Sequence, residues 1–267
     1  MRLPPSLLAR FLLALVRFLR VAVKRAGALS MKKNSNDSKT LLPKQNSRQK
    51  NSSKGSMTRA FDKIFEEEGR GLPVPFLRAL AKHESSSDPS EAKGPAWGLL
   101  QVGIDKRAGN VLKSYNERHG ESLHKVDMLN PRLNVRVAAD LLSRIVELYK
   151  AEGLKADWTN GNWIGLVVAG YNAGYSRKVG VIHTIRFLKS RGIPITLSAV
   201  YANTPEAAPK TKKGRAFVKR MGQQKRRDWT RRVVASTFTE QGKSPSPEVK
   251  GKTEWLPIAM LALLLLR

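Results

Sequence analysis

The segment Trp163–Gly174, WIGLVVAGYNAG, is apolar on nearly every side. A helix of that composition is stable only when other elements cover its whole circumference, so it predicts a buried central helix. Gly174 stands where a left-handed residue would end it. The chain around it supplies the cover. After Pro73 and Pro75, which suit a first helical turn, Leu77, Leu80, Ala81 and Glu84 fall at i, i+3, i+4 and i+7 on one face. The segment Ser85–Ser90, with Asp88-Pro89 inside it, ends that helix. NVRVAADLLSRIVELY carries an apolar stripe of Val135, Ala138, Ala139, Leu142, Ile145, Val146 and Tyr149, with Asn134 in the position of an N-cap. A further helix runs from about Ser176 to Ser190, with Val179, Ile182 and Ile185 facing inward. Alternation argues for no more than a short hairpin, around Gly94–Val102. The fold class expected is therefore mainly α, one helical domain with a short β-hairpin.

Charge divides the chain. Residues 1–60 hold fourteen Lys/Arg against one acid, a net +13; residues 61–205 hold twenty against fifteen, +5; residues 206–267 hold fifteen against five, +10. The middle is nearly ordinary, and basic ends of this kind seek a polyanion: nucleic acid, anionic lipid or an acidic wall polymer. Residues 1–31 interrupt every apolar run with Arg10, Arg17, Arg20 or Lys24, which share one helical face. The longest run, Phe11–Val16, falls short of the roughly 20 apolar residues of a spanning helix and the roughly 7–15 of a signal segment. It reads as a basic amphipathic helix lying on a surface, or as sequence ahead of a true start at Met31. Residues 32–57 are Ser/Asn/Lys-rich and read as a linker. The globular domain is expected over 58–204, a basic tail over 205–254 and an apolar segment over 255–267. The apolar run Leu256–Leu266 would be about 16 Å long as a helix, too short to span a bilayer.

The chemistry-bearing types are few. The chain has no cysteine, which excludes disulfides, thiolate catalysis and Cys-ligated zinc. Its four histidines form no metal pattern, and no phosphate-binding or dinucleotide fingerprint is present, so no cofactor is expected. Glu84 stands apart because periodicity sets its carboxyl on an apolar stripe in the last turn of a helix. Burial disfavours the carboxylate there, and the negative end of the helix dipole adds to that. A carboxyl kept protonated near neutral pH suits a general acid for a glycosidic oxygen.

ALAKHESSSDP…GPAWGLLQV resembles the soluble lytic transglycosylase family, relatives of goose-type lysozyme. The likeness lies in Glu84-Ser85, Asp88-Pro89 and Gly98-Leu99-Leu100-Gln101, then in Asn130-Pro131, Asn134 and Ala138-Ala139, and in Gly170-Tyr-Asn-Ala-Gly174. It covers roughly residues 72–190. Val102-Gly103-Ile104 stands where the family has Met-Pro after Gly-Leu-x-Gln, and Gly170 replaces an alanine. The resemblance implies an α+β lysozyme-like fold and a peptidoglycan lytic transglycosylase. It would cleave the β-1,4 bond between N-acetylmuramic acid and N-acetylglucosamine and leave 1,6-anhydromuramic ends. Glu84 would be its single acid and base, with Ser85, Gln101, Asn134, Tyr171 and Trp97 as substrate-binding candidates. Ser85 would bond Glu84 or the sugar; Gln101 would offer donor and acceptor to an acetamido group. Tyr171 would stack on sugar or bond Glu84, and Trp97 would be a sugar platform. Each also has a plainer reading, as a cap for Ser85 and Asn134 and as core for the aromatics.

An ordinary glycosidase would need a second carboxylate, for which Asp88, Asp105 and Asp127 are the nearest candidates. The alternatives to a transglycosylase are a lysozyme-type muramidase, a non-catalytic wall-binding module and a nucleic-acid-binding protein. The last lacks interleaved aromatics and any nucleic-acid motif, so no specific nucleic-acid partner is expected. The partners expected are peptidoglycan strands and, through the basic ends, an anionic membrane or wall polymer. Such an enzyme would work at the cell envelope, outside the cytoplasm or on the membrane, or as part of a virion.

Overall fold

The computed structural model describes residues 59–92 and 94–244. The amphipathic, linker and apolar-terminal expectations for 1–31, 32–57 and 255–267 lie outside the described residues. The elements in chain order are α1 (Asp62–Glu68), α2 (Val74–Glu84), β1 (Ala96–Trp97), β2 (Val102–Gly103), α3 (Val111–His119), α4 (Pro131–Ala151), α5 (Gly161–Ala173), α6 (Val181–Ser190), α7 (Leu197–Ala207), α8 (Lys212–Gly222) and α9 (Gln224–Glu240). The fold is mainly helical with one short antiparallel hairpin, in which Ala96 pairs with Gly103 and Trp97 with Val102. Among the described residues no helix is long and apolar enough to cross a membrane.

Helix α5 is the central element. Asn160 caps it by accepting from the backbone N–H groups of Asn162 and Trp163, and every residue from Trp163 to Gly170 is buried. At its C-terminus Gly174 takes φ +111 and ψ 137, a conformation open to glycine but not the left-handed helical one. Helix α4 starts earlier than its apolar stripe suggests. Its cap is Asn130, whose side chain accepts from Arg132 and Leu133, and Pro131 occupies the first turn. Asn134 is therefore inside the helix and is no cap. Helix α6 begins at Val181 rather than near Ser176, because the preceding residues close a small loop in which Tyr175 bridges to Gly180 and the Val181 N–H donates to the Gly174 carbonyl.

The largest departure from expectation lies beyond residue 204. Residues 205–244 are part of the domain rather than of a basic tail. Helix α8 buries Phe217 and Met221, and α9 buries Val233, Val234 and Phe238 in the same core as α2 and α5. Thr230 and Thr237, also buried, return their hydroxyls to the carbonyls of Arg226 and Val233 one turn back. Helix α9 is then locked onto α2 by polar bonds. The Arg78 guanidinium reaches Asp62 at 2.6 Å and Glu240 at 2.7 Å, the Trp229 indole donates to the His83 carbonyl at 3.2 Å, and the His83 ring meets the Ser236 hydroxyl at 2.8 Å. The apolar positions of α8 and α9 recur every three or four residues. Lys and Arg fill the intervening solvent faces, where their long stems cover apolar surface while the charge stays wet. A composition window sees only the charge.

Candidate active site

Four backbone positions decide the shape of the site. Gly98, Leu99, Leu100 and Gln101 join β1 to β2, with Gly98 at φ +79 and Gln101 at φ +51. A Cβ on Gly98 would sit 1.9 Å from the Met128 carbonyl and 2.2 Å from the Asn134 amide nitrogen, so only glycine fits. Leu99 and Leu100 are wholly buried, and a buried turn needs partners for its peptide groups. Three helices provide them. From the end of α2 the Ser85 hydroxyl donates to the Leu99 carbonyl at 2.8 Å. From α4 the Asn134 side chain accepts from the Leu100 N–H at 2.8 Å and donates to the carbonyls of Trp97 at 2.8 Å and Met128 at 2.9 Å. From α5 the Tyr171 hydroxyl donates to the Leu100 carbonyl at 2.5 Å.

That arrangement corrects the sequence expectations for several of the substrate-binding candidates. Ser85 (5 % exposed) and Asn134 (0 %) are out of reach of a sugar, and neither bonds Glu84; both hold the hairpin turn. The Tyr171 hydroxyl is likewise given to the turn rather than to Glu84, although its ring faces the cleft beside that carboxyl. Trp97 lies outside the cleft. Its indole donates to the Gly94 carbonyl, and the Lys125 ammonium sits 5.5 Å from the ring centre.

The cleft that does hold Glu84 encloses about 510 Å³, between the hairpin, α4, the end of α5 and the C-terminal helices. Glu84, Gln101 and Tyr171 line it together. The Gln101 amide donates to the Gly98 carbonyl at 2.9 Å and the Glu91 carbonyl at 3.2 Å, which fixes its side chain and leaves its oxygen for a ligand. Among the described residues none hydrogen-bonds the Glu84 carboxyl. Burial pushes its pKa up to about 8, against an opposing pull from the Arg226 guanidinium. The charge of Glu84 in turn adds to burial in holding the Tyr171 phenol far above its ordinary range.

Glu84 is the one carboxylate among the described residues that line the cleft. Asp88 is engaged in a turn with the N–H and hydroxyl of Ser90, and Asp127 caps a 3-10 turn through the His124 N–H. Neither they nor Asp105 line it. Cations do: Lys106, Arg118, Arg144, Arg220 and Arg226. Arg220 and Arg226 were invisible to motif reading because they come from α8 and α9. The excess charge of residues 206–267 was the signal that pointed to them, read as a tail's property rather than a cleft's. Arg226 donates to the Asn172 carbonyl at 2.8 Å and to its side-chain oxygen, and Arg220 to the Ala173 carbonyl at 3.1 Å, so both are tied to the end of α5. Among the described residues no cluster of His, Asp and Glu has the make-up of a metal site.

Gly170, the departure from the expected alanine, has a local cause. A Cβ there would lie 2.4 Å from the hydroxyl of Tyr149, which fills the space and donates to the Leu166 carbonyl at 3.1 Å.

Residues 63–187 match the family model of the transglycosylase SLT domain. Among solved structures, an inactive mutant of the lytic transglycosylase Slt from Pseudomonas aeruginosa aligns at 19% identity and a TM-score of 0.42. The alignment covers 70% of this chain and 25% of that one, so the chain spans about a quarter of that enzyme's length. No curated protein matches.

Proposed function

We propose that this chain, whose residues 63–187 match the transglycosylase SLT domain model, is a peptidoglycan lytic transglycosylase with Glu84 as its single acid and base. The observation that carries this reading is one carboxyl, held protonated to about pH 8, in a cleft with no second carboxylate among its described lining residues. A hydrolase of retaining or inverting type places two carboxylates about 5–9.5 Å apart across the scissile bond. A transglycosylase needs one, used twice.

Glu84 gives its proton to the oxygen linking N-acetylmuramic acid to N-acetylglucosamine, and the bond from that oxygen to the muramic C1 breaks as positive charge develops on the ring. The Glu84 carboxylate then takes the proton of the muramic 6-hydroxyl while that oxygen bonds C1, closing the anhydro ring. The proton returns to Glu84 and no water is consumed. Arg226 favours the anionic half of this cycle and burial the protonated half. The free oxygen of Gln101 and the face of Tyr171 are the groups offered to the sugar. The enzyme would work at the cell envelope, with the basic residues 1–60 holding it to an anionic membrane or wall polymer.

The test is mass analysis of fragments released from purified peptidoglycan. Ends one water lighter than hydrolysed fragments are expected. Reducible muramic ends would make the protein a muramidase instead.

A further inference from the structure

Outside the cleft the half-buried Arg78 pairs with Asp62 and Glu240 and Arg136 with Glu68, while Arg227 lies over the Tyr201 ring and donates to the Met221 carbonyl. In the cleft Arg118 is paired with Asp140, and three other arginines have no such partner among the described residues. Among the described residues no carboxylate pairs with Arg144, Arg220 or Arg226, although all three are half-buried. Arg220 and Arg226 repel one another; burial and the Arg226 charge both weaken the hold of Arg220 on its proton. Each is nevertheless fixed. Arg220 is held through Nε by the Ala173 carbonyl, and Arg226 through Nε by the Gln223 side chain and through Nη1 by Asn172. Of the five N–H groups of each guanidinium, those on the remaining nitrogens are left for the cleft. Two guanidinium groups that repel one another and have no ion pair with a carboxylate among the described residues form a site for a ligand anion.

We propose that Arg220 and Arg226 form a carboxylate-binding subsite that grips the peptide stem carried by the muramic acid of the substrate. The inference rests on the proposed lytic activity. The sugars of the glycan are neutral, whereas the stem hanging from each muramic acid carries free carboxylates. The two remaining nitrogens of Arg220 can engage such a group through parallel N–H···O bonds, and the remaining nitrogen of Arg226 can add a third. Both arginines lie beyond residue 187, so helices outside the region that matches the family model would set which strands the enzyme prefers.

The test compares glycan strands bearing native stems with the same strands after carbodiimide coupling to methylamine, which neutralises the carboxylates. The full chain should show kcat/KM about tenfold higher on native strands, the effect of one charge-assisted contact. The preference should reside in KM and shrink as salt is added. In Arg220→Gln the native-to-neutralised ratio should fall to near one, and Arg220→Lys should recover part of it. Arg226→Gln gives the same readout if Arg220→Gln does not fold. A wild-type ratio of one, with both strands cleaved, overturns the subsite and leaves the lytic activity standing. A wild-type ratio retained in both glutamine variants also overturns the subsite. Cleavage of neither strand overturns the lytic reading and the subsite with it.

Discussion

Replacing Glu84 by Gln should abolish turnover and, above mildly acid pH, make the protein more stable. The carboxyl has a pKa of about 8 in the folded chain against an ordinary value of 4.5. Below pH 4.5 it is protonated in both states and contributes nothing. As pH rises from 4.5 towards 8 the unfolded chain releases the proton and the folded chain keeps it, so stability falls; above 8 the loss is complete. At pH 7 the linkage relation gives about 3 kcal/mol for a fully dry site. Water in the open cleft screens part of this, leaving about 2 kcal/mol. Glutamine keeps the shape and cannot ionise, so it escapes the loss. For a domain of this size each kcal/mol moves Tm by roughly 2–4 °C. Scanning calorimetry of both proteins should therefore show Tm values that coincide near pH 4 and separate by roughly 4–8 °C at pH 7, with the variant higher and the gap constant above about pH 8.5.

The rates should move oppositely. Glutamine cannot lend a proton, and general acid–base assistance is worth about 10²–10⁴-fold. The wild-type rate should be level up to about pH 8 and decline above it, as the acid form disappears. The Tm gap separates three situations. A gap that stays at zero from pH 4 to 9 would mean that Glu84 ionises as a solvated helix-end residue does. A wild type more stable than the variant at high pH would mean that Arg226 holds it as an ion pair. Either result refutes the protonated acid, as does normal turnover in Glu84→Gln.

Three other substitutions test the framework. Asn134→Ala strands the Leu100 N–H and two buried carbonyls, at about 1–3 kcal/mol each; urea unfolding should show a loss of at least 3 kcal/mol, and an effect under 1 kcal/mol would remove the hairpin role. A chain ending at residue 204 loses α8 and α9 and uncovers the apolar faces of α2 and α5; it should bind ANS and show no cooperative melt, and a sharp transition would restore a tail there. Gly170→Ala should cost about 1–3 kcal/mol through contact with the Tyr149 hydroxyl, and in Tyr149→Phe the same alanine should cost much less, so additive losses in urea melts would show that the two do not meet.

Periodicity was enough to place α2, α4 and α5 and to set Glu84 at the end of a helix on its apolar side, because those helices bury wide stripes. It failed for α8 and α9, whose buried faces are narrow and interrupted by Thr230 and Thr237. Their neighbours in sequence are mostly cationic, so the local text describes solvent. The polar motif residues show a different limit. Ser85, Asn134 and Tyr171 were recognisable as residues of interest, and all three hold the hairpin turn. Their partners are peptide groups of a turn 14 to 71 residues away in the chain, and main-chain partners leave no trace in sequence. A polar side chain in a motif is as readily spent on a loop as on a ligand.

Those contacts bear on how one carboxyl could serve two steps. On one side of Glu84, the Ser85 hydroxyl is fixed to the hairpin; on the other, His83 is held by Trp229 through its carbonyl and by Ser236 through its ring. The turn that carries the acid is thus fastened both to the hairpin and to α9. An acid held in this way cannot follow its proton. In the proposed reaction the glycosidic oxygen and then the 6-hydroxyl must each come within about 3 Å of the same carboxyl. The displacement between the two steps therefore falls to the sugar ring, as its C1 flattens and its 6-hydroxyl swings across. That assigns the cleft a second task, which is to hold the strand on either side of the ring while the ring itself moves. Gln101, fixed by the turn, and the arginines of α8 and α9, fixed to the end of α5, are the cleft groups such a grip would use.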